Sequence, residues 1–301
     1  MKPKKVTIIG AGWLGMPLAV KLLANNYHVM ATKQSAENVN DCLAVLKKNS
    51  IFSQQYAVMP FSDGLLNHNI LDSGILQQLF TDRQIIITVP PTPFLRRYAM
   101  ENQAEGIVDY ANFIQKMAKI ASDYQAESLI YTSSISVYGN SSGIINEELP
   151  AMPKTNSAKA IVAAEKSLQN NIIPVTILRL AGLIGHGRHP IFTLQGRDNI
   201  RSPLNAINLL HIEDLLQAII VILNREKASK SYDIYNLVTP CHPNRQSYYQ
   251  TLAQQLNLTE PIFETAQPEL KKIIDGGKIT NKGDFNYKVL DLIRSSLNEI
   301  I

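Results

Sequence analysis

The run Val6-Thr7-Ile8-Ile9 passes directly into Gly10-Ala11-Gly12-Trp13-Leu14-Gly15, so a β-branched stretch leads into G-x-G-x-x-G. No other feature restricts the fold as strongly. The β-branched run predicts a strand buried on both faces. Leu14, Leu18, Leu22 and Leu23 predict a helix immediately after the glycines. In that strand–turn–helix setting each glycine has a physical task. Gly10 permits a tight turn, Gly12 lets a pyrophosphate reach the backbone, and Gly15 lets helix and strand pack closely. The helix N-terminus adds oriented N–H donors. Gly10, Gly12, Trp13, Leu14 and Gly15 are therefore the expected cradle of a dinucleotide, with Trp13 packing the turn against the sheet. The competing reading is a glycine-rich turn with no nucleotide.

Strand-like segments recur at Tyr27–Thr32, weakly at Tyr56–Met59, and at Ile85–Val89, Ser128–Thr132, Val175–Leu180 and Ser231–Leu237. Helical spacing separates them at Val39–Lys47, Ile107–Ala121 and Ser157–Gln169. Strands that do not alternate, interleaved with helices, predict a doubly wound parallel sheet covered on both faces. After Gly182 the rhythm changes. Residues 183–210 are loop-rich, and helices are expected at Asp214–Leu223, Ser247–Leu256 and Val289–Leu297. The expected division is a dinucleotide-binding domain over 1–182 and a smaller substrate-facing lobe over 183–301, interleaved with the last strands.

With 301 residues, 45% of them hydrophobic, the chain can bury a core without disulfides or a structural metal. The net charge is only +4 and the one tight basic cluster is Lys2, Lys4 and Lys5, so no nucleic-acid partner is expected. Cys42 and Cys241 form no ligand pair and point to a reducing compartment. No apolar run is long enough to span a bilayer, so no membrane partner is expected. A signal peptide over Met1–Met16 is disfavoured by the three glycines and the lack of a clean cleavage site. The expected location is cytoplasmic.

Coenzyme choice turns on the end of the second strand. NAD sites usually place an acid there to accept from the ribose 2′-OH. Here the chain reads Ala31-Thr32-Lys33-Gln34-Ser35, with no acid. Lys33 can pair with a 2′-phosphate while Thr32 and Ser35 donate hydrogen bonds, which favours NADP over NAD; the competing reading is a solvated Lys33. Val89 and Pro90, with Pro91, are expected to wall the cofactor cleft.

Further segments follow in order. Tyr131-Thr132-Ser133-Ser134-Ile135-Ser136-Val137-Tyr138-Gly139 puts hydroxyls at the carboxyl end of a strand. Leu178-Arg179-Leu180-Ala181-Gly182-Leu183-Ile184-Gly185, Leu210-His211-Ile212-Glu213-Asp214-Leu215 and Tyr235-Asn236-Leu237 come later. From Val6 to about Leu256, this ordered set resembles the extended short-chain dehydrogenase/reductase family, of the sugar-nucleotide epimerase and dehydratase type. The resemblance implies a Rossmann-type fold, a nicotinamide coenzyme and a small polar or nucleotide-sugar-like substrate. It also implies a Ser that orients substrate, a Tyr that moves a proton and a Lys four residues on that lowers the Tyr pKa and holds the nicotinamide ribose. Ser134 matches the Ser and Lys159 the Lys, but the Tyr position holds Thr155. A Thr hydroxyl offers no accessible phenolate. The chain thus resembles atypical members that lack the Tyr.

Tyr138 and Tyr98 are the candidates for a displaced phenol, with a structural role the favoured reading of each. His186 and His189 lack a nearby acid and read as a polar loop rather than a metal site. Arg188 and Arg197 suit a phosphate or a carboxylate, or are solvated. His211 and Asp214 are expected to organise a helix start. In related folds the helices at 107–121 and 157–169 pair across a dimer, so homodimerisation is one reading, with monomeric packing the other. Two alternatives stand beside the NADP-dependent oxidoreductase. One is a non-catalytic NADP-binding sensor. The other is a 3-hydroxyacid-type dehydrogenase, disfavoured by the Ser134 segment and the late strand at Tyr235.

Overall fold

Thr7 sits fully buried in the middle of the first strand, and its hydroxyl donates to the Leu79 carbonyl at 2.6 Å. A polar side chain in a two-sided core is tolerated because it is hydrogen-bonded. Around it Val6, Ile8 and Ile9 are buried to within 1%. The computed structural model describes residues 3–34, 36–49, 56–60, 73–226, 228, 230–265 and 271–300.

The strands are β1 (Lys5–Ile9), β2 (His28–Lys33), β3 (Tyr56–Pro60), β4 (Gln84–Ile87), β5 (Ser128–Ser134), β6 (Gly143–Ile145), β7 (Val175–Leu180), β8 (Gly182–Ile184), β9 (Leu209–His211), β10 (Tyr232–Leu237) and β11 (Lys272–Ile274). Seven of them form one sheet in the order β10-β7-β5-β4-β1-β2-β3. The pairs β1–β2, β1–β4, β2–β3 and β4–β5 are parallel. Val175 N donates to Ser231 O and Ala181 N to Leu237 O, so β7 and β10 also run the same way. β4 and β7 are buried at every residue, as expected of strands covered on both faces. This is the Rossmann-type α/β sheet expected from the sequence.

The helices fall close to their expected places. Gly15–Ala24, Ala36–Asn49, Gln103–Asp123, Asn156–Ser167, Ile212–Asn224, Arg245–Gln255 and Leu292–Ile300 each differ from the periodicity by a few residues at their ends. Elements without a clear signal also appear: a helix at Ser73–Phe80, a one-turn helix at Thr92–Leu95, and the short strands β6, β8, β9 and β11. Those strands have three residues each and pair in twos, β11 with β6 and β8 with β9. Such short pieces carry too little periodicity to read from a sequence.

By compactness the chain divides into two units. The first comprises Met1–Ser133, Pro153–Leu178 and Ile222–Ile234; the second comprises Ser134–Met152, Arg179–Val221 and Tyr235–Ile301. A core of the second unit contains Ile184, Ile191, Ile207, Leu209, Tyr248, Leu252 and Leu292. His189 belongs with this core, 7% exposed, rather than to a polar loop as the sequence suggested. Its Nδ1 accepts from the Ile191 N–H at 3.1 Å, so the ring proton lies on Nε2. Nε2 is 2.9 Å from the Tyr248 hydroxyl and 3.2 Å from the Ser296 hydroxyl.

Burial lowers the His189 pKa from 6.5 to about 4. The unfolded chain therefore takes up a proton near pH 6.5 that the folded chain refuses until about pH 4. This stabilisation is present above pH 6.5 and is lost as the pH falls towards 4. Its loss between pH 7 and 4.5 amounts to about 2 kcal/mol. Urea unfolding at the two pH values should show wild type losing more stability than His189→Gln; equal losses would refute the assignment.

Candidate functional site

The sheet order reverses at β1, with β2 and β3 on one side and β4 on the other. Crossovers leaving in opposite directions open a crevice at the carboxyl ends of β1 and β4. A cavity of about 210 Å³ lies there, within the first unit. Ile9, Gly10, Ala11 and Gly12 form its floor, and Thr32, Lys33 and Gln34 enter from the end of β2. Thr88, Val89, Pro90, Pro93, Phe94 and Arg97 follow β4, and Phe113 comes from the helix Gln103–Asp123.

The three glycines differ in what surrounds them. Gly10 has φ +104°, and a Cβ there would lie 2.9 Å from Val89 Cγ2. At Gly15 a Cβ would stand 2.3 Å from the Gly10 carbonyl oxygen, closer than atoms can approach. At Gly12 a Cβ would meet no protein atom within 4 Å. Gly10 and Gly15 are therefore glycines for the fold, whereas Gly12 keeps the cavity floor bare. Two threonines clamp the turn. Gly10 N donates to Thr32 Oγ1 at 3.1 Å and Ala11 N to the Thr32 carbonyl at 2.8 Å. Thr88 Oγ1 donates to Gly10 O at 2.6 Å.

The helix that follows has no capping side chain and no acid in its first turn. Its N-terminal dipole is thus not offset by a residue of its own, which suits an anion. The cavity's ionisable side chains are Lys33 and Arg97, with no carboxylate among the described lining residues. Phe94 and Phe113 supply an apolar wall, with ring centroids 5.2 Å apart. Glycine turn, bare floor, cationic rim and aromatic wall fit a dinucleotide.

Gly10, Gly12, Thr32, Lys33, Val89 and Pro90 are thus brought around one cavity. Trp13 and Leu14 are half-buried and Gly15 is buried; none of the three lines it. Thr32, 2% exposed, holds the glycine turn, and Cys42 is buried. Burial pushes the Cys42 pKa up, an effect the Lys33 charge opposes. Ser35 lies outside the described residues. Sequence reasoning missed Gln34, Thr88, Pro93, Phe94, Arg97 and Phe113. Phe94 and Arg97, three apart in Thr-Pro-Phe-Leu-Arg-Arg, offered a helical-spacing signal.

Thr155 and Lys159 stand one turn apart on the helix Asn156–Ser167, in the first unit, and both are exposed. Thr155 is the N-cap: its Oγ1 accepts from Ala158 N at 3.1 Å, while its carbonyl accepts from Lys159 N at 2.9 Å. Ser134 belongs to the second unit and caps the short 3₁₀ turn Ile135–Tyr138, accepting from Ser136 N at 3.1 Å.

Both alternative phenols are engaged in hydrogen bonds. Tyr138 is fully buried, donates to Asn236 Oδ1 at 2.8 Å and accepts from Arg179 at 2.9 Å, and burial raises its pKa. The Tyr98 hydroxyl donates to Asp109, and that carboxylate raises its pKa. His211 does organise a helix start, since its Nδ1 accepts from Glu213 N at 3.3 Å. Asp214 does not. Its carboxylate, 1% exposed, accepts from Lys288 N at 2.9 Å and Val289 N at 3.1 Å, and so ties a distant segment of the second unit. His186 is exposed and 3.3 Å from Glu213; Arg188 and Arg197 are exposed too. Among the described residues no group of three or more His, Cys, Asp or Glu is placed to hold a metal ion. None of their helices is long and apolar enough to cross a membrane.

Fold and crevice together define a Rossmann-type NAD(P)-binding protein. The family model described as the NAD dependent epimerase/dehydratase family matches residues 6–237, and the chain belongs to that family. It is 34% identical over 292 residues to Protein YeeZ of Escherichia coli (strain K12), covering 96% of this chain and 97% of that one. Among solved structures it is similar to the UDP-glucuronic acid 4-epimerase from Bacillus cereus in complex with NAD. That likeness has a TM-score of 0.74 at 17% identity and covers 98% of this chain and 96% of that one. The Bordetella bronchiseptica enzyme WbmG in complex with NAD gives a TM-score of 0.74 at 18% identity, covering 98% and 93%. The family resemblance read from the sequence is borne out.

The glycines should respond differently to substitution. Gly15→Ala forces the helix off the turn and should cost about 1–3 kcal/mol of stability. Gly12→Ala should stay within about 0.5 kcal/mol of wild type. Thermal or urea unfolding checks both, and equal costs would contradict the assignment.

Proposed function

We propose that this protein binds NADP in the cavity at the glycine turn and acts as an oxidoreductase of the epimerase/dehydratase type. Its substrate is a nucleotide-sugar-like or small polar molecule. One observation carries the coenzyme choice: the cavity has two cations, Lys33 and Arg97, and no carboxylate among its described lining residues. A carboxylate at the end of β2 would accept from the 2′-OH of NAD, whereas Lys33 matches a 2′-phosphate. Family membership and the nucleotide-sugar epimerase among the structural neighbours support the substrate class.

A bound nicotinamide supplies the capacity to take or give a hydride. The chain supplies the rest. Gly10 and Gly12 shape the turn beneath the pyrophosphate, their own N–H groups donating to Thr32 Oγ1 and the Gly10 carbonyl, and the uncapped N-terminus of the helix Gly15–Ala24 would supply the donors. Thr32 holds that turn in shape, and Lys33 receives the adenosine end. Val89 and Pro90 wall the cleft. Lys159, an exposed cation on the helix Asn156–Ser167, hydrogen-bonds the nicotinamide ribose, and Ser134 orients the substrate. Thr155 has an alcohol where the family resemblance implies a phenol, and that alcohol is engaged with Ala158 N. Proton transfer through a Tyr–Lys pair is therefore not available at Thr155.

That same observation favours a second reading, a coenzyme-binding sensor without turnover. Both readings require NADPH to bind, and reactivity separates them. Turnover over a panel of nucleotide sugars and small carbonyls, abolished by Ser134→Ala, supports the enzyme. Tight NADPH binding with no turnover supports the sensor.

The two free cysteines accord with a cytoplasmic location. A homodimer is part of the same proposal. Val108 on the helix Gln103–Asp123 and Met100 just before it are 56% and 84% exposed, and sedimentation should report twice the chain mass.

Titration of the full chain should show NADPH binding more tightly than NADH by about tenfold or more. Lys33→Glu should reverse that order, and Gly12→Val should weaken both coenzymes while leaving unfolding midpoints nearly unchanged. Absence of binding by either coenzyme would refute the reading.

A further inference from the structure

We infer that Tyr110 is a positioning residue for the coenzyme site, its phenol fixing the Val89 carbonyl and with it the wall that the chain after β4 gives the cavity. The inference rests on the dinucleotide reading above and names a residue that stands behind the lining rather than in it. Tyr110 is 1% exposed, and its hydroxyl donates to Val89 O at 2.8 Å. A hydroxyl has one proton, so the fully buried Tyr131 hydroxyl, 2.9 Å away, donates to Tyr110. Burial raises the pKa of both phenols, which keeps both protonated as this relay requires.

The chemistry of the Val89–Pro90 peptide makes this bond matter. Pro90 has no N–H, so the Val89 carbonyl is the only hydrogen-bonding group that this peptide owns. Val89 and Pro90 both line the cavity. Val89 also packs on the glycine turn, where a Cβ at Gly10 would lie 2.9 Å from Val89 Cγ2. The same face of the helix Gln103–Asp123 supports the next stretch of wall. At Gly106, one turn before Tyr110, a Cβ would stand 2.9 Å from Leu95 Cα and 3.0 Å from Phe94 O. The Phe94 ring meets Tyr110 edge-on at 5.3 Å and Phe113 at 5.2 Å. Positions 106, 110 and 113 share one helical face. Loss of the Tyr110 hydroxyl leaves that ring packing in place but frees the Val89 carbonyl to turn towards the cavity for a donor.

The test is titration of NADPH and NADH into the full chain as wild type, Tyr110→Phe and Tyr131→Phe. Each variant loses one buried hydroxyl, so both should unfold at lower urea concentration than wild type. Tyr131→Phe keeps the bond to Val89 and should bind within about twofold of wild type. Tyr110→Phe should weaken binding by about three- to tenfold, as the loss of one hydrogen bond requires. The emission of bound NADPH at saturation reads its surroundings rather than its affinity, and should move towards that of free NADPH in Tyr110→Phe. Should Tyr110→Phe not fold in buffer, all three proteins are measured in trimethylamine N-oxide, which favours the compact state. A change in affinity or emission larger in Tyr110→Phe than in Tyr131→Phe supports the inference. No change, or an equal one in both variants, overturns it and leaves the dinucleotide reading standing. Wild type that binds neither coenzyme overturns that reading, and the inference with it.

Discussion

The first helix approaches the first strand so closely that position 15 has no room for a methyl group, and much of the site follows from this contact. Gly15 lets the helix start directly over the Gly10 carbonyl. The turn between them is held by Thr32 from β2 and by Thr88 from the chain after β4. Both threonines spend hydrogen-bonding capacity on the glycine backbone, so the turn is fixed without a ligand. Gly12, where a Cβ would meet no protein atom within 4 Å, faces the cavity.

The cavity's charge and its neighbouring chemistry pull in different directions. Lys33 and Arg97 put two cationic side chains on the lining of the cavity at the glycine turn. The helix that carries Lys159, by contrast, opens with Thr155 as its N-cap, at the position where the family resemblance implies a phenol. Threonine is a good N-cap because its hydroxyl satisfies an orphan N–H of the first turn, a contribution of about 1 kcal/mol. The position thus stabilises its helix at the expense of a titratable group.

Several motifs shared with the family are explained in this chain by hydrogen bonds inside the second unit. Arg179 donates to Tyr138, Tyr138 to Asn236, and Asn236 to the Asp275 carbonyl, while Asn236 N donates to Glu147 at 2.7 Å. The Val-Tyr-Gly, Arg-bearing and Tyr-Asn-Leu segments meet in that one network. Buried charge is acceptable there because Arg179 also lies 5.0 Å from the Tyr138 ring centroid. Asp214 joins segments 74 residues apart by accepting two backbone N–H bonds. These residues look functional in a sequence because polar side chains in a core must be partnered, and partnering restricts identity as strongly as catalysis does.

From the sequence alone came the strand–turn–helix opening, the parallel sheet, the glycine cradle and the absence of an acid after β2. Each is written in local spacing, and spacing of 2 or 3.6 residues maps directly onto strand or helix. The three-residue strands and the one-turn helix at Thr92–Leu95 were not legible, since elements that short have no period. Nor was the partnering of Phe94, Arg97 and Phe113 with Lys33 around one cavity, which depends on how β4 lies beside β1. Tertiary structure likewise decided that His189 is buried and neutral and that Asp214 reaches residues 288 and 289. Such contacts join positions far apart in the chain, and only the folded backbone brings them within hydrogen-bonding distance.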